Sequence, residues 1–248
     1  MTKLHGKTAL VTGASRGIGR ASALALAKAG AQVIVHYSSA AAAAEAVVAE
    51  ISAGGGRASA IGVDLSAPDG AHTLAEQVRA IVGDRLDIVF ANAGVSVAAP
   101  IEGTKVEDFD HMFAVNLRAP YFLVQQLLPV LGNGSSVILN SSLAARASVG
   151  ELSAYAATKG AISTLVKHFA TALGARGIRV NAVAPGIVET DMSNFVKTED
   201  GRNVALSIQS LKRIAQPADI GDVVAFLASD DARWITGDII EAGGGSKL

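Results

Sequence analysis

The sequence predicts a doubly wound α/β fold, with about seven parallel strands and helices on both faces of the sheet. Three observations predict it. Short β-branched apolar runs alternate with longer Ala- and Leu-rich segments along the chain. Most of those runs are almost continuously apolar rather than alternating, which marks strands covered on both faces. A glycine-rich turn, Gly13 to Gly19, joins the first run to the first helical segment, where such sheets bind ligands.

Strands are expected over 8–12, 32–36, 58–63, 86–91, 136–140, 179–184 and 238–241, and helices over 17–29, 40–52, 71–82, 106–131, 154–175 and 217–228. Alternation on this scale requires parallel pairing through right-handed crossovers. Gly30 reads as the cap of the first helix, and Gly54-Gly55-Gly56 ends the second. Pro217 fits a first helical turn, while Pro129 is expected to kink or end the long helix. No linker or repeat divides the chain, so a single domain over 1–248 is expected. Segment 186–213 resists assignment and is expected to form a mobile lid over a substrate site.

Half of the 248 residues are apolar, and 21 basic side chains balance 22 acidic ones to a formal net charge of −1. That balance lacks the basic excess of a nucleic-acid partner. No uncharged apolar run approaches the roughly 18 residues needed to cross a bilayer, and residues 1–7 lack a signal-peptide core. Cysteine is absent, which excludes disulfides and fits a reducing, cytoplasmic compartment. The five histidines have no paired spacing, so no metal site is expected.

Thr12-Gly13-Ala14-Ser15-Arg16-Gly17-Ile18-Gly19 carries the first chemical signal. Glycines permit a tight turn and close approach of backbone N–H groups to a pyrophosphate, and the helix N-terminus adds a favourable dipole. The second strand ends in Tyr37-Ser38-Ser39, with no acid before Glu45. A carboxylate there would accept from a ribose 2′-OH; its absence, with Arg16 and two hydroxyls nearby, suits a 2′-phosphate and favours NADP(H) over NAD. Asp64, followed by Leu65, can meet the adenine amino group or cap the next turn. Asn92-Ala93-Gly94 ends the fourth strand at the ligand-binding edge, where Asn92 is expected to tie the sheet to the cofactor turn.

Tyr155 and Lys159 are four residues apart on a predicted helix and share one face. Such a pair arises by accident in roughly one chain in nine of this composition. Ser142 at the end of the fifth strand, and Asn116 in the preceding long helix, raise its weight. Reducing a ketone leaves an alkoxide that needs a proton; a phenol near an ammonium can supply it. Ser142 can hold the carbonyl oxygen as charge develops.

These motifs, in order, resemble the short-chain dehydrogenase/reductase family, in its branch of about 250 residues, over essentially the whole chain. Thr12 to Gly19 is similar to its TGxxxGxG motif, Asn92-Ala93-Gly94 to its NAG motif, and Tyr155 to Lys159 to its YxxxK motif. The resemblance implies a Rossmann-like fold and a catalytic group of Asn116, Ser142, Tyr155 and Lys159. In it Tyr155 is the acid/base, Ser142 binds the substrate oxygen, Lys159 also holds the nicotinamide ribose, and Asn116 anchors a relay water. It further implies that Pro185, Gly186, Ile187, Val188 and Thr190 hold the nicotinamide end. A homotetramer or homodimer follows from the same likeness.

Val95, Leu143, Leu152, Met192 and Phe195 are expected to line the substrate pocket, mostly apolar with Arg146 and Glu151 as exceptions. A ketone or secondary alcohol of modest size follows. One alternative is a 3-oxoacyl-acyl-carrier-protein reductase, whose relatives present basic residues where the long helix ends. Residues 127–134 carry no positive charge, and only Arg176 could contribute one. A second alternative, a non-catalytic NADP(H)-sensing regulator, predicts a damaged catalytic group, and all four residues are present.

Overall fold

The structure is a computed structural model that describes residues 3–247. Seven strands form its centre: β1 (Thr8–Val11), β2 (Gln32–Tyr37), β3 (Arg57–Gly62), β4 (Ile88–Ala91), β5 (Ser136–Asn140), β6 (Arg179–Pro185) and β7 (Ile239–Ala242). They make one sheet in the order β3-β2-β1-β4-β5-β6-β7, and every pairing is parallel. The order reverses between β1 and β4. Loops leaving the carboxyl ends of those two strands therefore diverge and open a crevice.

Among the described residues there are eight α-helices: α1 (Gly17–Lys28), α2 (Ala41–Ala53), α3 (Gly70–Val82), α4 (Val106–Phe113), α5 (Ala119–Leu127), α6 (Ser153–Leu173), α7 (Glu199–Ser207) and α8 (Pro217–Ala228). Helices α1, α2 and α8 bury Ala23, Val47 and Val224 on one face. Helices α3, α5 and α6 bury Leu74, Leu123 and Ile162 on the other. Period-two alternation sends Ala9 and Val11 into the first core and Leu10 into the second. All three are fully buried, which is why the strand reads as an unbroken apolar run. Gly30 follows α1 in a left-handed conformation, φ +103°, as a cap requires.

The predicted helix over 106–131 is not continuous. Residues Ala114–Arg118 form a π turn between α4 and α5. Pro120 supplies the reason, because it lacks the N–H that an α-helix would direct to the Asn116 carbonyl. A wider turn accommodates that missing bond, and Asn116 sits inside it. The second half ends at Leu127, two residues before Pro129.

Segment 186–213 is more ordered than the sequence suggests. Tight turns over Asp191–Lys197 lead into α7, whose first turn is capped by Thr198. Val196, Ala205 and Ile214 form a small core of their own. Both ends are pinned: Val188 bridges to Ala215, and the N–H groups of Ser210 and Leu211 donate to the Gly244 carbonyl at 3.0 and 2.9 Å. Among the described residues, no helix is long and apolar enough to cross a membrane.

Candidate active site

The β1–α1 turn is built for an anion. Gly13 and Gly17 have φ of +61° and +54°, a region that favours glycine. A Cβ at Gly19 would collide with the Gly13 carbonyl and the Asn92 amide. Helix α1 begins with no side-chain cap and no acid in its first turn, so its leading N–H groups remain for a ligand. Ser15 is half-buried in the turn, and Ile18 packs onto the α1/α8 core.

Asn92 joins this turn to the sheet. Its amide donates to the carbonyls of Thr12 and Gly13 at 2.9 and 3.2 Å, and its oxygen accepts from Asn140 at 3.1 Å. The Thr12 hydroxyl accepts from the N–H groups of Asn92 and Ala93, both at 2.9 Å. Gly94 follows, where a Cβ would press on the Asn116 side-chain oxygen and reach the Lys159 ammonium.

At the far end of the crevice, Ser38 and Ser39 are exposed after β2 and Tyr37 is half-buried. No carboxylate is among them, so the local chemistry fits a 2′-phosphate. Arg16 does not lean toward the two serines. It pairs with Asp191 at 3.3 Å, both side chains largely exposed. Asp64 accepts from the N–H and hydroxyl of Ser66, each at 2.8 Å, the local turn considered alongside adenine contact. Those bonds hold its carboxyl below the usual range. Leu65 behind it is buried.

Ser142, Tyr155 and Lys159 come together at the ends of β5 and α6. The Ser142 hydroxyl lies beside the Tyr155 phenol and caps the next turn by accepting from Ala144 N–H at 3.1 Å. The Lys159 nitrogen is 5.6 Å from the Tyr155 ring centre and donates to the Asn140 carbonyl at 2.7 Å. Burial raises the phenol above its ordinary pKa, with the Ser142 bond partly opposing. The same burial lowers Lys159 to about 8. Asn116 is 1% exposed. Its amide group exchanges bonds of 2.8 and 2.9 Å with the backbone of Val95 and donates to Thr158 at 3.1 Å. It thus touches the α6 residue next to Lys159.

The remaining predicted residues lie around this centre. Pro185 is buried at the end of β6 and Gly186 packs on Gly243. Ile187 packs on the small core of the 186–213 segment, Val188 on the sheet core, and the Thr190 side chain lies where a Cβ on Gly17 would meet it. Leu143 is buried and Leu152 half-buried at the start of α6. Met192 and Phe195 stay 55% and 47% exposed. Arg146, expected at the pocket, binds instead to the carbonyls of Ser246 and Lys247 and to Glu241. Arg176 donates to the carbonyls of Leu128 and Leu131. Among the described residues, no three His, Asp or Glu side chains are grouped to hold a metal.

Sequence reasoning missed Asn140, which links Lys159 to Asn92 and whose own side-chain oxygen is buried without a partner. A polar residue closing the apolar run Ser136-Val137-Ile138-Leu139 was its visible signal.

A parallel sheet with an anion-binding turn at one strand end and a Ser–Tyr–Lys group at another defines a dinucleotide-dependent oxidoreductase. A family model described as Enoyl-(Acyl carrier protein) reductase matches residues 13–247. An uncharacterized oxidoreductase of Methylorubrum extorquens is 43% identical over 249 residues, covering 100% of both chains. A versicolorin reductase of Emericella nidulans is 40% identical over 256 residues, 98% of this chain and 97% of its own. The solved angucycline C-6 ketoreductase LanV, with bound NADP, is 43% identical at a TM-score of 0.94, covering 99% of this chain and 97% of its own. LanV has also been solved with NADP and rabelomycin, at a TM-score of 0.90. This chain belongs to the short-chain dehydrogenase/reductase family.

Lys159 is charged at neutral pH yet has no carboxylate partner among the described ion pairs. Lys159→Met is therefore expected to stabilise the fold by about 1–2 kcal/mol at pH 7. A lysine whose folded pKa is depressed destabilises below that pKa, and the penalty fades as pH rises through 8 toward 10.5. Denaturant unfolding at pH 7 and 9.5 checks this: the gain should shrink at the higher pH.

Proposed function

We propose that the protein is a cytoplasmic, homotetrameric reductase that uses NADPH to convert a fused-ring aromatic ketone to the secondary alcohol. The observation that carries the reaction is the phenol of Tyr155, held protonated by burial, with the Ser142 hydroxyl beside it and Lys159 behind it. When bound, NADPH supplies the hydride. Ser142 donates to the ketone oxygen and steadies the charge that grows there. Tyr155 passes its proton from Oη to that oxygen. Lys159, with a pKa of about 8, can release a proton near neutral pH and restore the phenol. Asn116 acts as a positioning residue through Val95 and Thr158.

On this reading Gly13, Ser15, Arg16, Gly17, Ile18 and Gly19 hold the pyrophosphate and 2′-phosphate, with Ser38 and Ser39 opposite. Tyr37, Asp64, Leu65 and Asn92 to Gly94 flank the adenosine and ribose, and Pro185 to Val188 with Thr190 take the nicotinamide end. Segment 186–213 serves as the lid, moving between its two pinned ends. The substrate class draws on LanV and the versicolorin reductase, and on the apolar Val95, Leu143, Leu152, Met192 and Phe195. Arg146 is engaged by Glu241 and by the carbonyls of Ser246 and Lys247, so it is not offered to an anionic ketone. The carrier-protein alternative is not favoured, because Arg176 is engaged by two carbonyls.

The tetramer draws on two separate apolar surfaces. One is a groove of about 770 Å³ on α4, α5 and α6, lined by Phe113, Leu117, Tyr121, Phe122 and Leu165. The other is Trp234, 96% exposed in the connection that leads into the edge strand β7. Two different two-fold interfaces generate a closed tetramer. Sedimentation equilibrium should give four chain masses; a monomer would refute this part.

NADPH oxidation over a panel of naphthol-type and polycyclic ketones, with acyl thioesters for comparison, tests the reaction. Tyr155→Phe should lower kcat by about 10²–10⁴-fold, and full turnover in that variant would refute the mechanism. Arg16→Ala should weaken NADPH by about tenfold or more while leaving NADH within about twofold; equal losses would remove Arg16 from the 2′-phosphate.

A further inference from the structure

His36 is 1% exposed at the end of β2, and the proton chemistry above makes no use of it. Its ring joins the segments that follow β1 and β3, the two neighbours of β2 on one side of the dinucleotide crevice. The Gly13 N–H donates to Nδ1 at 3.1 Å, and Nε2 lies 2.9 Å from the Val63 carbonyl oxygen. A carbonyl only accepts and an amide N–H only donates, so the contacts require one tautomer, with the proton on Nε2. The main-chain carbonyl of His36 also accepts from Ala14 N–H at 2.8 Å. Two consecutive amides of the glycine-rich turn are thus anchored on one residue.

Burial lowers the imidazole pKa to about 4, which keeps the ring neutral at physiological pH. Protonation at Nδ1 would set two donors against each other at Gly13.

We propose that His36 is a positioning residue for the dinucleotide: its ring, by accepting from the Gly13 N–H, holds the glycine-rich turn in place against the end of β2. The inference rests on the NADP(H) reading above. Gly13 stands in a left-handed conformation with its N–H turned inward to His36. The amides that follow, at the start of α1, are then left facing the crevice without a side-chain cap. Residue 36 acts from behind the turn and touches no cofactor atom itself.

Three variants separate the two contacts. His36→Asn keeps an oxygen near the place of Nδ1 and can still accept from Gly13. His36→Gln reaches the place of Nε2 and can still donate to Val63. His36→Leu makes neither bond. NADPH is titrated into each by fluorescence, with thermal unfolding and kcat at saturating NADPH measured in parallel.

His36→Leu is expected to raise the NADPH Kd by about tenfold. His36→Asn should recover to within about threefold of the wild type, while His36→Gln stays weak. Saturating kcat should change little in all three. Where His36→Leu does not fold, the Asn and Gln pair carries the decision. Equal NADPH affinity across the folded variants would overturn the inference, as would losses that follow thermal stability without regard to which contact is kept. A wild-type protein that binds no NADPH would overturn the cofactor reading, and His36's role with it.

Discussion

An ammonium buried at the carboxyl edge of the sheet constrains most of what surrounds it. Lys159 is 3% exposed and rests on a single backbone carbonyl, that of Asn140. Burial favours the neutral form of any ionisable group, so it moves Lys159 down and Tyr155 up from their ordinary values. The two shifts have opposite signs for one reason. They leave a phenol that holds its proton and an amine that gives one up more easily. Such a pair suits delivery of a proton to an alkoxide, and it fits reduction better than oxidation.

Holding that ammonium requires a polar frame inside an apolar sheet. Asn140 ends β5, Asn92 follows β4, and Thr12 follows β1; their side chains link the three strand ends side by side. A cavity of unpaired polar groups would be costly, and nearly every atom of the frame has a partner. The exception is the side-chain oxygen of Asn140, buried and unpaired. The π turn around Asn116 is a further irregularity, placed where a side chain must reach the site.

The glycine-rich turn and the 186–213 segment meet through short contacts at the start of α1. Arg16 and Asp191 join the glycine-rich turn to the start of the 186–213 segment, and Thr190 lies against Gly17. The other end of that segment is tied to residues 244–247, which Arg146 in turn ties to the loop after Ser142. Charged side chains thus tie both ends of the 186–213 segment, directly or through residues 244–247, to neighbouring loops. An exposed pair such as Arg16–Asp191 is worth little on its own and can exchange partners readily.

The sequence by itself determined the fold class, the order of strands and helices, and the residue types at each strand end. Those are local properties: continuous apolar runs, glycine in a tight turn, and a four-residue spacing on one helix face. Strand ends shifted by only one or two residues, because pairing with neighbours and not propensity decides where a ladder stops. The break at Pro120 was legible in principle, since a proline inside a helical pattern removes a backbone donor. Tertiary structure alone decided the directions of Arg16 and Arg146, whose partners lie far along the chain at Asp191, Glu241 and residues 246–247. It alone put the Asn140 carbonyl on Lys159 and both nitrogens of His36 between Gly13 and Val63. Spacing along a chain specifies which face a side chain takes, but long-range hydrogen bonds exist only once the sheet has brought the strand ends together.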